Sequence, residues 1–85
     1  MDYQESLRNT IPPHLMEGID RWVEKRILPG GFLTAVLEND LKNAVSRADD
    51  ISKKHIADIV TYLYNYVPSA CWGSKEKVEE WAENI

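Results

Sequence analysis

The sequence predicts an all-α fold, a small single-domain bundle of about four helices. Three observations predict it. Apolar residues recur at three- and four-residue steps through most of the chain, no segment alternates with period two, and helix-stopping residues gather at 28–31, 49–51 and 67–73. The 85 residues suffice for one core, with a stability of roughly 4–13 kcal/mol. At this size a sizeable pocket is expected between copies more readily than inside one.

Residues 1–10 are expected to form a flexible N-terminal segment, and residues 11–85 a single helical domain. Thr10, Ile11 and the pair Pro12-Pro13 place a helix start near Pro13, because proline is tolerated in a first helical turn. That helix should run to about Ile27, burying Leu15, Ile19, Trp22, Val23 and Ile27 while Glu17, Asp20, Arg21, Glu24 and Lys25 face water. After Pro29-Gly30-Gly31 a second helix is expected from Leu33 to Ala48, with Leu33, Val36, Leu37, Leu41, Ala44, Val45 and Ala48 on its apolar face. Ser52 reads as the cap of a third helix to about Tyr66, built on Ile56, Ile59, Val60 and Leu63 and stopped by Pro68. Pro68 to Gly73 should be a loop, and Ser74 the cap of a last helix presenting Val78, Trp81, Ala82 and Ile85.

Several polar residues do not suit a plain bundle. On a single continuous second helix, Asp40, Asn43 and Arg47 border or interrupt the apolar face. A carboxylate there must be paired, hydrogen-bonded or wet. Two readings stay open: an ion pair from Asp40 to Arg26, which intrudes on the first helix in the same way, or convergence of Asp40 and Arg47 through Asn43 or a ligand. Tyr62, Tyr64 and Tyr66 widen the third helix's apolar arc, which suits self-association, base stacking, or half-buried rings with wet hydroxyls. Trp72, in a loop beside Gly73, is either a second stacking platform or a lid on the core.

Anion chemistry has two candidate places. Gly30 and Gly31 bare the backbone where a helix begins, and Gly73-Ser74 does so at the last helix, although a turn and a cap explain both without a ligand. The candidate ligand-binding set is therefore Gly30, Gly31, Phe32, Asn39, Asn43, Arg47, Tyr66, Trp72, Gly73 and Ser74. Phosphate would meet the glycine amides and Arg47, Asn39 or Asn43 would reach ribose or base edges, and Trp72 or Tyr66 would stack.

The net charge of −4, with the Lys25-Arg26 and Lys53-Lys54 pairs offset by nearby acids, disfavours duplex nucleic acid as a partner. Glu76, Glu79, Glu80 and Glu83 read as a solvated helix face. Cys71 is the one cysteine, so no internal disulfide forms, and the first residues lack a secretory pattern; a cytoplasmic setting is expected. No apolar run approaches the roughly 18–20 residues that span a bilayer. Cys71, His14 and His55 show no nucleophile or metal spacing, so neither an enzyme nor a cofactor or metal is expected.

The segments Ile11-Pro12-Pro13, Pro29 to Leu41 (PGGFLTAVLENDL), Arg47-Ala48-Asp49, Tyr64-Asn65 and Pro68 to Ser74 (PSACWGS) resemble a family of small proteins encoded by bacteriophages and prophages. The resemblance spans nearly all of the chain from Ile11 to Trp81. It implies provenance, and with it the host bacterial cytoplasm, and it identifies no catalytic residue. Small phage proteins without enzyme motifs are often host-directed. The expectation is a counter-defence protein that sequesters a nucleotide immune messenger without consuming it, as a homo-oligomer. The alternatives are an inhibitor docked on a host defence protein and an interaction module of phage replication or assembly.

Overall fold

The structure, a computed structural model, describes residues 2–83. In order come α1 (Tyr3–Thr10), α2 (Pro13–Lys25), α3 (Gly31–Leu37), α4 (Leu41–Arg47), α5 (Asp50–Lys54), α6 (Ile56–Tyr66), a 3₁₀ turn (Ser69–Cys71) and α7 (Lys75–Glu83). No strand occurs among the described residues, so the all-α expectation holds. The expected count of about four helices does not: seven α-helices are present among the described residues, because the first residues are helical and two expected long helices are each broken.

The segment expected to be flexible is α1 over Tyr3–Thr10, packed on α2 and α6. Asp2 caps it, its carboxylate accepting from the Gln4 amide at 3.3 Å, and Leu7 enters the core at 8% exposure. Arg8 then fastens it, donating to Asp20 Oδ1 at 3.0 Å, to Asp20 Oδ2 at 2.7 Å and to the Tyr62 hydroxyl at 2.7 Å. Met1 lies outside the described residues.

The expected second helix breaks at Asn39, which sits in the left-handed region at φ 61°. The Asn39 amide donates to the Val36 carbonyl at 3.0 Å and the Asp40 amide to Ala35 at 2.9 Å, the paired closure of a Schellman turn. Asp40 at once caps α4, accepting from the Asn43 amide at 3.2 Å and from the Asn43 side chain at 2.6 Å. These bonds hold its carboxyl below the ordinary range. The ion pair from Asp40 to Arg26 does not form. Arg26 ends α2 in the left-handed conformation at φ 59°, and its guanidinium donates to the Trp81 carbonyl at 2.9 Å.

The expected third helix divides at His55, whose ring Nδ1 lies 3.1 Å from Asp58 Oδ2. Asp49, not Ser52, caps α5, and Ser52 is buried within it. Ser74 caps α7 as expected, accepting from the Lys77 amide at 3.2 Å. Ile85, assigned to that helix's apolar face, lies outside the described residues.

Trp22 is the centre of the core, with no exposed surface, among Ile19, Leu37, Ile59, Leu63 and Cys71. Its indole N–H donates to the Cys71 carbonyl at 2.9 Å, and the Trp81 N–H donates to the Trp22 carbonyl at 3.0 Å. Three sequence-distant segments are thus bonded through one side chain and its backbone. The loop before α7 is tied to the end of α3 by the Gly73 amide, 2.7 Å from the Leu37 carbonyl; Gly73 has φ +113°, which other residues rarely adopt. Four side chains expected in the core are instead outside it: Ile27 (51% exposed), Leu41 (67%), Val45 (43%) and Val60 (40%). No helix among the described residues is long and apolar enough to cross a membrane.

Candidate functional site

An open cleft of about 440 Å³ lies between the first turns and middle of α2 (His14 to Arg21), the Ile27–Gly30 connection, the first turn of α3, and the α4–α5 junction. It is a single-chain cleft, where the sequence favoured a pocket between copies. Its floor is apolar and packed: Gly18 of α2 meets Leu33 so closely that a Cβ at 18 would stand 2.8 Å from Leu33 Cδ1. The lip is apolar as well, from Ile27, Leu28 and Phe32. The Thr34 hydroxyl donates to the Pro29 carbonyl at 3.0 Å, which fixes the connection as it enters α3.

Arg47 reaches into this cleft from the last turn of α4 and lies against Gly31. A Cβ at position 31 would stand 2.7 Å from Arg47 Nη1 and 3.3 Å from its Cδ, so the missing side chain is what lets the guanidinium lie there. Among the described residues, the Arg47 side chain has no hydrogen bond and no ion pair within 4 Å. Its neighbour is the start of a helix without a side-chain cap, whose first amides carry partial positive charge.

Arg21 lines the same cleft from α2, its Nε donating weakly to the Glu17 carbonyl at 3.4 Å and its terminal nitrogens free among the described residues. His14 and Asp49 complete the polar lining with Ser52. The Asp49 carboxylate is occupied by the Ser52 amide at 2.7 Å, and hydrogen bonding from Ser52 holds it below the ordinary carboxylate range. Two arginines thus line the cleft alongside one already engaged carboxylate, in a chain whose net charge is −4.

Of the sequence-derived candidates, Gly30, Gly31, Phe32 and Arg47 come together here. The other six lie elsewhere, and each has local work. Asn39 is the left-handed residue of the α3–α4 turn, and Asn43 is bound to Asp40. Tyr66 packs against Tyr62 and Tyr3, with ring centroids 5.6 and 6.4 Å away, and burial raises its hydroxyl above the ordinary tyrosine value. Trp72 packs on the core with its indole nitrogen buried and without a partner, Gly73 makes the tie to Leu37, and Ser74 caps α7. Sequence reasoning missed Arg21 and His14, which it assigned to solvent-facing or first-turn positions. A helix wheel ranks faces within one helix and carries no signal for which distant loop folds back over them.

Cys71 is buried, its thiol pushed up by burial and donating to the Pro68 carbonyl at 3.1 Å. Among the described residues no group of three or more His, Cys, Asp or Glu could hold a metal ion. No protein-family model matches the chain, and neither curated proteins nor solved structures gave a match.

Proposed function

We propose that the protein binds a phosphate-bearing nucleotide messenger in the Arg47–Gly31 cleft and holds it without consuming it, as a phage-encoded counter-defence sponge. The single observation that carries the ligand chemistry is the Arg47 guanidinium, unpaired among the described residues and laid over the bare Gly31 backbone inside a 440 Å³ cleft. Arginine's planar fork grips phosphate oxygens in pairs, an interaction worth roughly 1.5–3 kcal/mol when water is excluded. The volume falls within the range of about 300–1,000 Å³ usual for small-molecule sites. The messenger-sequestering role rests on the resemblance to phage and prophage proteins and not on the cleft.

The test is calorimetric titration against a panel of cyclic nucleotides, followed by heat denaturation of the complex. Binding with intact nucleotide recovered in the supernatant supports sequestration. Recovery of a cleaved product makes the protein an enzyme. Absence of heat with every member removes the reading.

A second reading, an inhibitor docked on a host defence protein, is favoured by a different face. Leu41 and Val45 of α4 and Val60 and Tyr64 of α6 are spaced one turn apart on their helices and stay 40–78% exposed. Leu41 and Val60 border one shallow groove over Val36, Ala44 and Ile56. Exposed apolar side chains gathered on one face are the usual mark of a contact surface. Capture of a defined defence component that is lost on Leu41→Asp, with titrations silent, would favour this reading.

A further inference from the structure

We infer that the cleft takes a ligand with two phosphoryl groups, one held by Arg47 and the other by Arg21, so that Arg21 is a second binding residue. This rests on the proposed phosphate-binding reading and specifies its ligand. The two guanidiniums come from separate helices, α4 and α2, and line one cavity with no acid partner for either among the described residues. Each is a fork with paired donors, and one phosphoryl group that accepts both donors of one fork leaves the other fork unanswered. Like charges that line one cleft repel, and the repulsion is relieved when each has its own anion.

The remaining lining agrees with this division. The Asp49 carboxylate accepts from the Ser52 amide and keeps lone pairs for a hydroxyl or amine of the ligand. Leu28 and Phe32 offer an apolar surface for a base or sugar face. The two arginines therefore answer phosphoryl groups, and the apolar surface answers the base or sugar.

The experiment compares two probe pairs by calorimetry on the full chain: inorganic phosphate with pyrophosphate, and cyclic AMP with cyclic di-AMP. The proposal expects at least one two-phosphoryl member to bind tenfold or more tighter than its single counterpart. Arg21→Ala should remove that preference while leaving the single-phosphoryl partner within about twofold, and Arg47→Ala should weaken both by ten- to a hundredfold. Arg21→Lys, which keeps the charge and loses the fork, should fall between. Circular dichroism melting of each variant establishes that it is folded. Equal affinity within both pairs, or an Arg21→Ala loss shared equally by single and double members, overturns the proposal while leaving phosphate binding standing. No binding of any probe overturns both.

Discussion

The four arginines divide into two pairs that the fold treats in opposite ways. Arg8 and Arg26 are fastened: Arg8 grips both oxygens of Asp20 and touches Tyr62, and Arg26 lies 3.8 Å over the Trp81 ring while donating to its carbonyl at 2.9 Å. Arg21 and Arg47 share a cleft, and among the described residues the long bond from Arg21 Nε to the Glu17 carbonyl is all that either side chain makes. The contrast separates two uses of one residue type. A planar cation answered by a carboxylate or an aromatic face joins elements, whereas one left unanswered in a concavity is available to a ligand. Stability and binding should therefore respond to different arginines, and each prediction below tests that separation.

The largest effect should come from the centre of the fastened region. Trp22→Ala removes the most buried large side chain and strands the Cys71 carbonyl; it should cost about 3–5 kcal/mol, a large part of a stability of this order. Urea unfolding followed by circular dichroism measures it, and a loss under 1 kcal/mol would show that the core is not organised on Trp22. Next, Arg26→Ala should lose about 2 kcal/mol, since the stack on Trp81 and a charge-assisted bond go together. Arg26→Gly should lose about 1 kcal/mol less than Arg26→Ala, because glycine relieves the left-handed backbone. If the glycine variant melts no higher than the alanine variant, the strain assigned to that position is absent.

Arg8 and Asp20 should show a coupling of about 1 kcal/mol in a double-mutant cycle, smaller at high salt because the pair is about a third exposed. Arg47→Ala should leave the unfolding free energy within about 0.5 kcal/mol of the parent and lower nucleotide affinity ten- to a hundredfold. A sharp fall in melting temperature would instead move Arg47 into the fastened class. Gly31→Ala is subtler: the backbone there accepts alanine, so stability should hold, but the new Cβ displaces the guanidinium and weakens the ligand. Unchanged affinity in this variant would detach Gly31 from the site.

Acid provides the smallest effect. Hydrogen bonds at the helix caps lower the carboxyl values of Asp40 and Asp49 in the folded state, from Asn43 and Ser52 respectively. Their stabilisation is therefore present above the unfolded aspartate value and lost as pH falls through the lower folded one. Melting temperature measured between pH 7 and pH 2 should drop at the acid end, and replacing both by asparagine should flatten that drop. An equally steep drop in the double variant would assign acid sensitivity elsewhere.

The fold class and the breaks near 28–31, 49–51 and 67–73 were legible because proline, glycine and cap residues act locally. The break at Asn39 was not read, since Val36, Leu37, Leu41 and Ala44 keep helical spacing across it. The Asn39-Asp40 pair held the signal: a residue tolerant of left-handed geometry followed by a helix cap. Missing that turn also misplaced Asp40 and Asn43, because a wheel drawn through a corner assigns false faces. The start of α1 was readable in the same way, from Asp2 followed three residues later by Glu5. In the cleft, glycine chemistry and the odd position of Arg47 could be read locally. Arg21 could not, since its role depends on a connection that folds back across α2.

The Trp22 bonds also govern the order in which the molecule is made. Its indole awaits the carbonyl of Cys71, 49 positions later, and its own carbonyl awaits Trp81, 59 positions later. A chain emerging from the ribosome can form α1 to α6 as separate turns, yet cannot shut its interior until the last helix is out. Ribosome-bound chains halted before Trp81 should accordingly remain open to protease at sites that the released protein protects.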